Sequence, residues 1–341
     1  MIYEHAYDMI VDDVFLHLGD AAPNVDIHLK IEGLNPAGTI KLKAAARMIQ
    51  DAEERGLLRP GSRVIESSSG GLGVAVAMVC AGKGYDFVCV TDPNASPHSL
   101  DVMRALGAEI VTVNSPDGNG GYLGSRIAYI RVRLARDPDL VWLNQYANPV
   151  NWITHDQTTA TAITNAFPDL DYLFVGTGTS GTLMGCVHHF RRVSPATKII
   201  AVDALGSVSF GGPSQPRFIP GIGTSRRPEI LRPELVDEVV TVAEPDTVAV
   251  CRWLRRRYGL FAGGSTGSVV SAILGTAPYL PAGARIVGIS PDFGDRYAQS
   301  IYDDAWVSER FGPQCLELEY LAPRSLDPVG AAALTLTTEE R

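Results

Sequence analysis

Residues 172–204, YLFVGTGTSGTLMGCVHHFRRVSPATKIIAVDA, carry the pattern on which the fold prediction depends. The stretch opens with a short apolar run, passes through a loop of glycines and hydroxyl side chains, continues at helical spacing and closes with a β-branched run. A strand, a loop, a helix and a second strand in this order are typical of a βαβ unit, in which both strands lie parallel in one sheet.

The same alternation extends along the chain in both directions, which predicts an α/β fold with doubly wound parallel sheets. The predicted strands are residues 25–31, 63–67, 85–91, 109–113, 140–144, 172–176, 198–204 and 284–290. Helices are predicted, among other places, at residues 40–55, 72–81, 96–106 and 181–193. Residues 205–228 form the longest irregular stretch, and we expect them to wrap close to the binding site.

Composition narrows the class of function. The 341 residues are 45% hydrophobic and 20% charged, so the chain can bury a large core. A net charge of −9 argues against a nucleic-acid partner, because nucleic-acid binders normally carry a basic face. The five scattered cysteines suit free thiols in a reducing compartment. With an acidic N-terminus and no apolar run that could span a bilayer, the chain is expected to be cytoplasmic and without a membrane partner.

Three glycine-rich loops are expected at the carboxyl edge of the strands, where open α/β sheets bind ligands. They are residues 66–73 (ESSSGGLG), 176–182 (GTGTSGT) and 262–268 (AGGSTGS). Amide and hydroxyl groups at the start of a helix can hold an anion. The first loop therefore suits a carboxylate and the second a phosphate, although a tight turn would also require glycine.

Two shorter motifs overlap these loops. Residues 176–181 match the dinucleotide pattern GxGxxG, and Asp203 ends the next strand, where an acid that binds ribose would lie. A dehydrogenase that uses NAD is therefore an alternative. Residues 263–267 match the nucleophile elbow GxSxG, but a hydrolase of that fold needs a later histidine, and the last one is His189. The histidines show no metal-ligand spacing, so no catalytic metal is expected.

A pyridoxal cofactor would need a lysine amine, and the chain has five candidates: Lys30, Lys41, Lys43, Lys83 and Lys198. Lys83 and Lys198 lie in predicted turns, and Lys30 lies within the first predicted strand. Lys41 and Lys43 begin one predicted helix and point in different directions, so only one of them can face the sheet edge. Both could instead decorate an amphipathic helix, but the NPAGT turn just before Lys41 favours a site there.

Four motifs make the chain resemble the cysteine synthase group of fold-type II pyridoxal phosphate enzymes. Residues 35–41 (NPAGTIK) resemble the family's Asn-Pro-x-Gly-Ser-x-Lys, and loop 66–73 resembles its substrate carboxylate loop. Residues 178–182 (GTSGT) resemble its Gly-Thr-Gly-Gly-Thr phosphate cradle, and residues 291–297 (PDFGDRY) its segment beside the pyridine nitrogen. The likeness covers residues 23–305 with order and spacing preserved.

The resemblance implies a two-domain architecture, with doubly wound parallel sheets like those of the tryptophan synthase β-chain. The smaller, mobile domain would span residues 36–146, and the larger domain, which binds the cofactor's phosphate, would combine residues 1–35 and 147–322. Residues 323–341 would form a C-terminal tail. The resemblance also implies a homodimer.

The same resemblance assigns pyridoxal 5′-phosphate as the cofactor and selects Lys41 over Lys43 for the Schiff base. The residues implied in cofactor binding are Lys41, Gly71, Gly178, Thr179, Ser180, Gly181, Thr182 and Ser265. Gly71 replaces the family's asparagine, which hydrogen-bonds the phenolic oxygen, so that contact must be missing or supplied elsewhere. Phe293 replaces a serine often found against the pyridine nitrogen, and Ser265 is the candidate substitute.

For the amino-acid substrate, the resemblance implies that Ser68, Ser69, Gly70 and Gln145 hold the α-carboxylate and that Tyr146 closes over it. Arg126, in the helix after residues 120–122, is the candidate for a substrate carboxylate or phosphate, and a surface ion pair is its alternative.

Within the family, residues 117–123, 144–148, 201–208 and 261–268 are most similar to the aminocarboxyethyl-glutamate synthases. This similarity implies replacement of the phosphate of O-phospho-L-serine by the amine of L-glutamate, on the way to 2,3-diaminopropionate for siderophores or nonribosomal peptides. A cysteine synthase that uses sulfide, the NAD-dependent dehydrogenase and a non-catalytic protein that holds pyridoxal phosphate are the alternatives.

Overall fold

The structure, a computed structural model, describes residues 2–118 and 120–317. The predicted tail, residues 323–341, lies outside this part of the chain. Ten strands are present in the described residues: β1 (Phe15–His17), β2 (Val25–Ile31), β3 (Arg63–Ser67), β4 (Asp86–Thr91), β5 (Glu109–Thr112), β6 (Leu140–Trp142), β7 (Tyr172–Gly176), β8 (Lys198–Ala204), β9 (Glu238–Val242) and β10 (Ala284–Ser290).

The same residues form ten α-helices: α1 (Lys41–Glu54), α2 (Gly71–Lys83), α3 (Pro97–Ala105), α4 (Leu123–Arg136), α5 (Val150–His155), α6 (Thr161–Ala166), α7 (Gly181–Val193), α8 (Glu244–Tyr258), α9 (Gly264–Thr276) and α10 (Asp304–Phe311). A π-helical segment, Asp156–Ala160, joins α5 to α6. Each predicted strand and helix is present within two residues of its predicted ends.

The strands form two sheets. The larger has six strands in the order β1-β2-β10-β7-β8-β9, and the smaller has four in the order β5-β4-β3-β6. Neighbouring strands pair in parallel, except that β1 runs antiparallel to β2. The α/β class and the parallel sheets are therefore confirmed. Sequence reasoning missed the edge strands β1 and β9. With three residues, β1 is too short to show an alternating pattern.

Both faces of the smaller sheet are covered, which explains why apolar residues stand at consecutive positions in the middle of β3 and β4. Val64 and Phe87 point to the side covered by α1 and α2. Their neighbours Ile65 and Val88 point to the other side, where they pack with Ile130 of α4. All four strands of this sheet fall within residues 36–146, although the division of the chain into domains stays a prediction.

The larger sheet is built in the same way. Leu173 and Ile199 share a core with α7, whereas Phe174 and Ile200 face a second core that contains residues of α9. Since β3 leads into α2 and β7 leads into α7, the starts of both helices lie at the carboxyl edges of their sheets. The starts of α1 and α9 join them there. The starts of α1, α2 and α9 line one cavity, and those of α1, α7 and α9 line a second one beside it.

Candidate active site

A cavity of about 430 Å³ lies where these helix starts meet, and a smaller cavity of about 40 Å³ adjoins it. Both are lined by Lys41, Thr179 and Ser265. Every predicted site residue lines one or both: Lys41, Ser68, Ser69, Gly70, Gly71, Arg126, Gln145, Tyr146, Gly178, Thr179, Ser180, Gly181, Thr182 and Ser265. Residues separated by more than 200 positions in the chain are thus brought to one place.

Lys41 is the first residue of α1, and its amine faces the cavities. Its Nζ donates a hydrogen bond to Thr179 Oγ1 over 3.3 Å. Burial lowers the pKa of Lys41 to about 8, although the nearby Asp292 carboxylate acts in the opposite direction. A lowered pKa increases the fraction of neutral amine near neutral pH, and the neutral amine is the form that attacks an aldehyde.

Lys43, two residues further along α1, points into the protein instead. Its Nζ pairs with Asp12 and lies 2.6 Å from Glu32 Oε2. Lys30 joins the same cluster, with its Nζ 3.0 Å from the other oxygen of Glu32. Because Lys43 is committed to this buried ion cluster, Lys41 is the lysine of α1 that faces the cavities. The sequence contained no signal for the cluster, whose members come from separate segments.

Loop 176–182 has the features of a phosphate site. Ser180 takes a left-handed conformation with φ of 69°, and α7 begins at the next residue. A side chain at Gly178 would lie 2.7 Å from the carbonyl oxygen of Gly221, so only glycine fits there. Among the described residues, the buried hydroxyl of Ser180, which lines the smaller cavity, has no hydrogen-bond partner. Free hydroxyls and amides at a helix start fit the phosphate of pyridoxal phosphate.

The strain at Ser180 leads to a prediction. Ser180→Gly should raise the unfolding free energy of the cofactor-free protein by about 0.5–1 kcal/mol, because glycine adopts the left-handed conformation without strain. It should also weaken binding of pyridoxal phosphate about tenfold, because a hydrogen bond to a charged group is lost. Urea unfolding and fluorescence titration measure the two effects. Ser180→Ala keeps the strain, so it should weaken binding without stabilising the protein. Unchanged cofactor affinity in both variants would contradict a role for this hydroxyl.

Loop 66–73 closes on itself through Ser68. The Oγ of Ser68 accepts hydrogen bonds from the amides of Gly73 (2.9 Å) and Gly70 (3.3 Å), which holds the loop at the start of α2. Gln145 Nε2 donates to the carbonyl of Ser67 over 2.9 Å and ties β3 to the segment after β6. This arrangement leaves the half-buried Ser69 at the wall of the cavity.

Glu66, directly beneath this loop, is a buried acid that sequence reasoning did not single out. Its carboxylate accepts hydrogen bonds from the amides of Ser67 (2.7 Å) and Gln145 (3.3 Å) and from the indole of Trp142 (3.4 Å). Burial raises the pKa of Glu66 to about 7 and outweighs these three hydrogen bonds.

This shift predicts how stability depends on pH. The pKa of Glu66 in the folded protein lies above its ordinary value of 4.5, so the folded protein binds more protons than the unfolded chain between pH 4.5 and about 7. The contribution of Glu66 to stability is therefore lost as the pH rises through this window. The glutamine side chain of the Glu66→Gln variant does not titrate. Across this pH window, the unfolding free energy of the variant minus that of wild type should therefore rise by up to about 3 kcal/mol. Urea denaturation at several pH values measures the difference, and a constant difference would contradict the shift.

Arg126 is buried, with 7% of its surface exposed, so the alternative of a surface ion pair is wrong. Its Nη1 lies 3.4 Å from Asp92 Oδ2. In the described part of the chain, Nε and Nη1 are buried and have no hydrogen-bond partner, although the residue lines the large cavity. A buried guanidinium with free N–H groups is suited to an anion. Tyr146 lies on the same wall, and burial raises its pKa, so it stays a neutral phenol.

Phe293 lies outside both cavities, so the segment that resembles the family's motif does not present this side chain to a cofactor. Its ring packs against Gly33, where an added Cβ would lie 2.8 Å from it. Ser265, at the start of α9, lines both cavities. Its place is compatible with the role suggested for it, which stays a prediction.

Several residues of the wall were not foreseen. Residues 214–225 supply a large part of it, which agrees with the expectation that residues 205–228 wrap close to the site. Asp92, Asp292 and Arg296 also line the cavity. Asp92 follows strand β4 directly, which is its only sequence signal. Asp292 and Arg296 belong to residues 291–297, whose resemblance to the family's segment beside the pyridine nitrogen had assigned neither of them a role.

The dinucleotide interpretation finds no support in the position of Asp203. This residue does not line the cavities. Its Oδ1 accepts a hydrogen bond from the amide of Ala204 over 2.9 Å, and burial raises its pKa to about 6.

The structure also brings together two histidines that sequence spacing did not connect, His17 and His28, which pair across β1 and β2 beside Asp26. These three residues lie outside the walls of both cavities.

Comparison with known proteins agrees with this site. Residues 14–292 match the model of the family described as pyridoxal-phosphate dependent enzyme, and the chain belongs to that family. It is therefore an enzyme that uses pyridoxal phosphate. Lys41, the free hydroxyl of Ser180 and the adjoining cavity fit this cofactor.

Two curated relatives carry the same name, N-(2-amino-2-carboxyethyl)-L-glutamate synthase. The protein from Cupriavidus metallidurans is 42% identical over 318 residues, which cover 91% of this chain and 93% of the relative. The protein from Ralstonia nicotianae is 44% identical over 284 residues, which cover 83% of this chain and 84% of the relative.

Solved structures show the same fold. O-ureido-L-serine synthase is 31% identical, with a TM-score of 0.83 over 90% of this chain and 100% of that chain. The O-acetylserine dependent cystathionine beta-synthase from Helicobacter pylori is 28% identical, with a TM-score of 0.81 over 89% and 100% of the two chains. Both are enzymes of amino-acid synthesis whose named substrates or products are serine derivatives or sulfur amino acids. None of the helices in the described part of this chain combines the length and apolar character needed to cross a bilayer.

Proposed function

We propose that the chain replaces the phosphate of O-phospho-L-serine with the amine of L-glutamate and so forms N-(2-amino-2-carboxyethyl)-L-glutamate and inorganic phosphate. The observation that carries the proposal is the pairing, in one cavity, of Lys41 with a buried guanidinium that has free N–H groups. The names of the two curated relatives support the same product.

Lys41 has two tasks in this reaction. Its amine would hold the cofactor and, when free, would take the proton from Cα of the substrate as a general base. Its pKa of about 8 suits both tasks, because an appreciable fraction of the amine is neutral near neutral pH. Bound pyridoxal phosphate supplies an electron sink for the charge that develops at Cα.

Arg126 binds the phosphate of the substrate and stabilises it as it leaves. Its free Nε–H and Nη1–H can make charge-assisted hydrogen bonds to phosphate oxygens, which are stronger than neutral ones. The ion pair between Nη1 and the carboxylate of Asp92 holds the guanidinium in place. The same cation would give little advantage to a substrate with an uncharged leaving group.

The loop 66–73 holds the α-carboxylate of the substrate. Ser69 and the amide of Gly70 lie at the wall of the cavity, and Ser68 fixes the loop through its own hydrogen bonds. Gln145 anchors the opposite side, and Tyr146 covers the substrate with a neutral hydroxyl that can donate a hydrogen bond. Together they orient the substrate so that its Cα proton meets the amine of Lys41.

A direct assay tests the reaction. The purified enzyme is incubated with O-phospho-L-serine and either L-glutamate or sulfide, and O-acetyl-L-serine replaces the phosphorylated substrate in parallel mixtures. We expect release of phosphate together with a new amine product, of the mass of N-(2-amino-2-carboxyethyl)-L-glutamate, only when glutamate is present. Rapid formation of cysteine from sulfide, without the glutamate adduct, would favour a cysteine synthase instead.

The biological setting belongs to the same proposal. The product is a precursor of 2,3-diaminopropionate for a siderophore or a nonribosomal peptide, and the enzyme works in the cytoplasm as a homodimer. Residues 36–146 form a mobile domain that closes over the substrate, against a larger domain of residues 1–35 and 147–322. Size-exclusion chromatography with light scattering tests the homodimer.

A further inference from the structure

We propose that Arg296 binds the phenolic oxygen of pyridoxal phosphate and so supplies the contact for which position 71 has no side chain. The inference rests on the cofactor and on Lys41 as its attachment point. It does not depend on which amino acids the enzyme joins.

The covalent structure of the cofactor indicates where its hydroxyl lies. In pyridoxal phosphate, the hydroxyl and the methylene that carries the phosphate flank the ring carbon that bears the aldehyde. A cofactor bonded to Lys41, with its phosphate in loop 176–182, therefore turns its hydroxyl away from that loop. Thr39, Gly71 and Arg296 belong to the part of the wall formed by the starts of α1 and α2 and the segment after β10. The hydroxyl of Thr39 is 3.4 Å from the amide of Lys41.

The surroundings of Gly71 explain why this position can lack a side chain. A Cβ added there would lie 2.9 Å from Thr39 Oγ1 and 3.3 Å from Arg296 Nη1. The space next to the α2 start is therefore already occupied by a hydroxyl and a guanidinium. Both groups can donate a hydrogen bond, as an amide side chain at position 71 would.

One nitrogen of the Arg296 guanidinium, Nη1, is available for this contact. Its Nη2 donates to the carbonyl of Ala37, and its Nη1 lies 3.5 Å from Asp292 Oδ2. Nη1 is nevertheless buried and makes no hydrogen bond to any residue that the structure describes. A buried N–H without an acceptor is costly, and an ionised hydroxyl on the cofactor would provide that acceptor together with a negative charge.

The test compares two cofactors that differ by one oxygen. Pyridoxal phosphate and 3-deoxypyridoxal phosphate are titrated into the cofactor-free enzyme, and the ratio of their dissociation constants is measured for wild type and for Arg296→Met. The preference for pyridoxal phosphate over 3-deoxypyridoxal phosphate should be at least about tenfold smaller in Arg296→Met than in wild type, because a charge-assisted hydrogen bond is removed. If the variant weakens both cofactors equally, Arg296 only supports the fold and the proposal is overturned.

A matched control comes from Arg191. It also donates to a carbonyl, that of Leu235, and pairs with a carboxylate, that of Asp237, but it does not line the cavities. Arg191→Met should leave the ratio of the two dissociation constants unchanged. If Arg296→Met fails to fold, Arg296→Gln keeps an N–H donor for the carbonyl of Ala37 but removes the positive charge that would attract the ionised hydroxyl. This variant should lose the preference as well, and a ratio equal to that of wild type would refute the proposal. No amino-acid substrate is present, so the result is independent of the proposed reaction.

Discussion

Replacing Lys41 with alanine is expected to abolish the covalent attachment of pyridoxal phosphate and to lower turnover about 10³-fold. Lys41 provides both the amine that binds the cofactor and the base that removes the Cα proton, and proton transfer by a positioned group alone contributes 10²–10⁴-fold. The measurement is borohydride reduction of the loaded enzyme followed by peptide mass mapping. Wild type should carry the reduced cofactor on Lys41, and the variant should carry none.

The matched control is Lys43→Met in the same helix. This change removes an amine from the buried cluster with Asp12 and Glu32, so it should destabilise the protein but leave labelling of Lys41 intact. The assignment would be refuted if the reduced cofactor in wild type were found on another lysine. It would also be refuted if the Lys41→Ala variant kept the reducible adduct.

Replacing Arg126 with methionine should lower kcat/KM for O-phospho-L-serine about 10²-fold. The change removes a buried cation whose free N–H groups are available to a phosphate, and such charge-assisted contacts are worth about 1.5–3 kcal/mol each. O-acetyl-L-serine has no phosphate, so its kcat/KM should change much less. The enzyme's preference between the two substrates is therefore the quantity to measure.

Arg131→Met serves as the comparison for this prediction, because Arg131 lies on the exposed side of the same helix. It should leave both substrates unaffected. Removing Arg126 also leaves Asp92 buried without its cation, so thermal unfolding must be measured alongside. An equal loss for both substrates would mean that Arg126 supports the shape of the cavity rather than binding phosphate.

Strand and helix positions could be predicted because they depend on local patterns. The central residues of β7 and β8 are buried on both faces and are therefore apolar, and the glycines between β7 and α7 mark the turn. The short edge strand β1 gave no such pattern. The three glycine-rich loops could be placed at one edge because parallel strands end on the same side of a sheet.

The buried charges of the site could not be predicted in this way. Arg126 and Asp92 are 34 positions apart, and the sequence of α4, with its other arginines, resembles that of a solvated helix. Likewise, nothing local to Gly71 indicates that Arg296, far along the chain, occupies the neighbouring space. Such partners depend on how the segments cross in three dimensions.

By itself, the amino-acid sequence determined the α/β class and placed the glycine-rich loops at one edge of the sheets, because short-range periodicity carries that information. It also predicted Lys41 through the resemblance of residues 35–41 to the family's motif. Only the tertiary structure showed that Lys43 is paired within a buried ion cluster. It also showed that Arg126 is buried with free N–H groups and that Arg296 lies beside Gly71. Burial and pairing of charges arise from contacts between distant segments, and those contacts set the pKa values and the vacant hydrogen bonds from which the site is built.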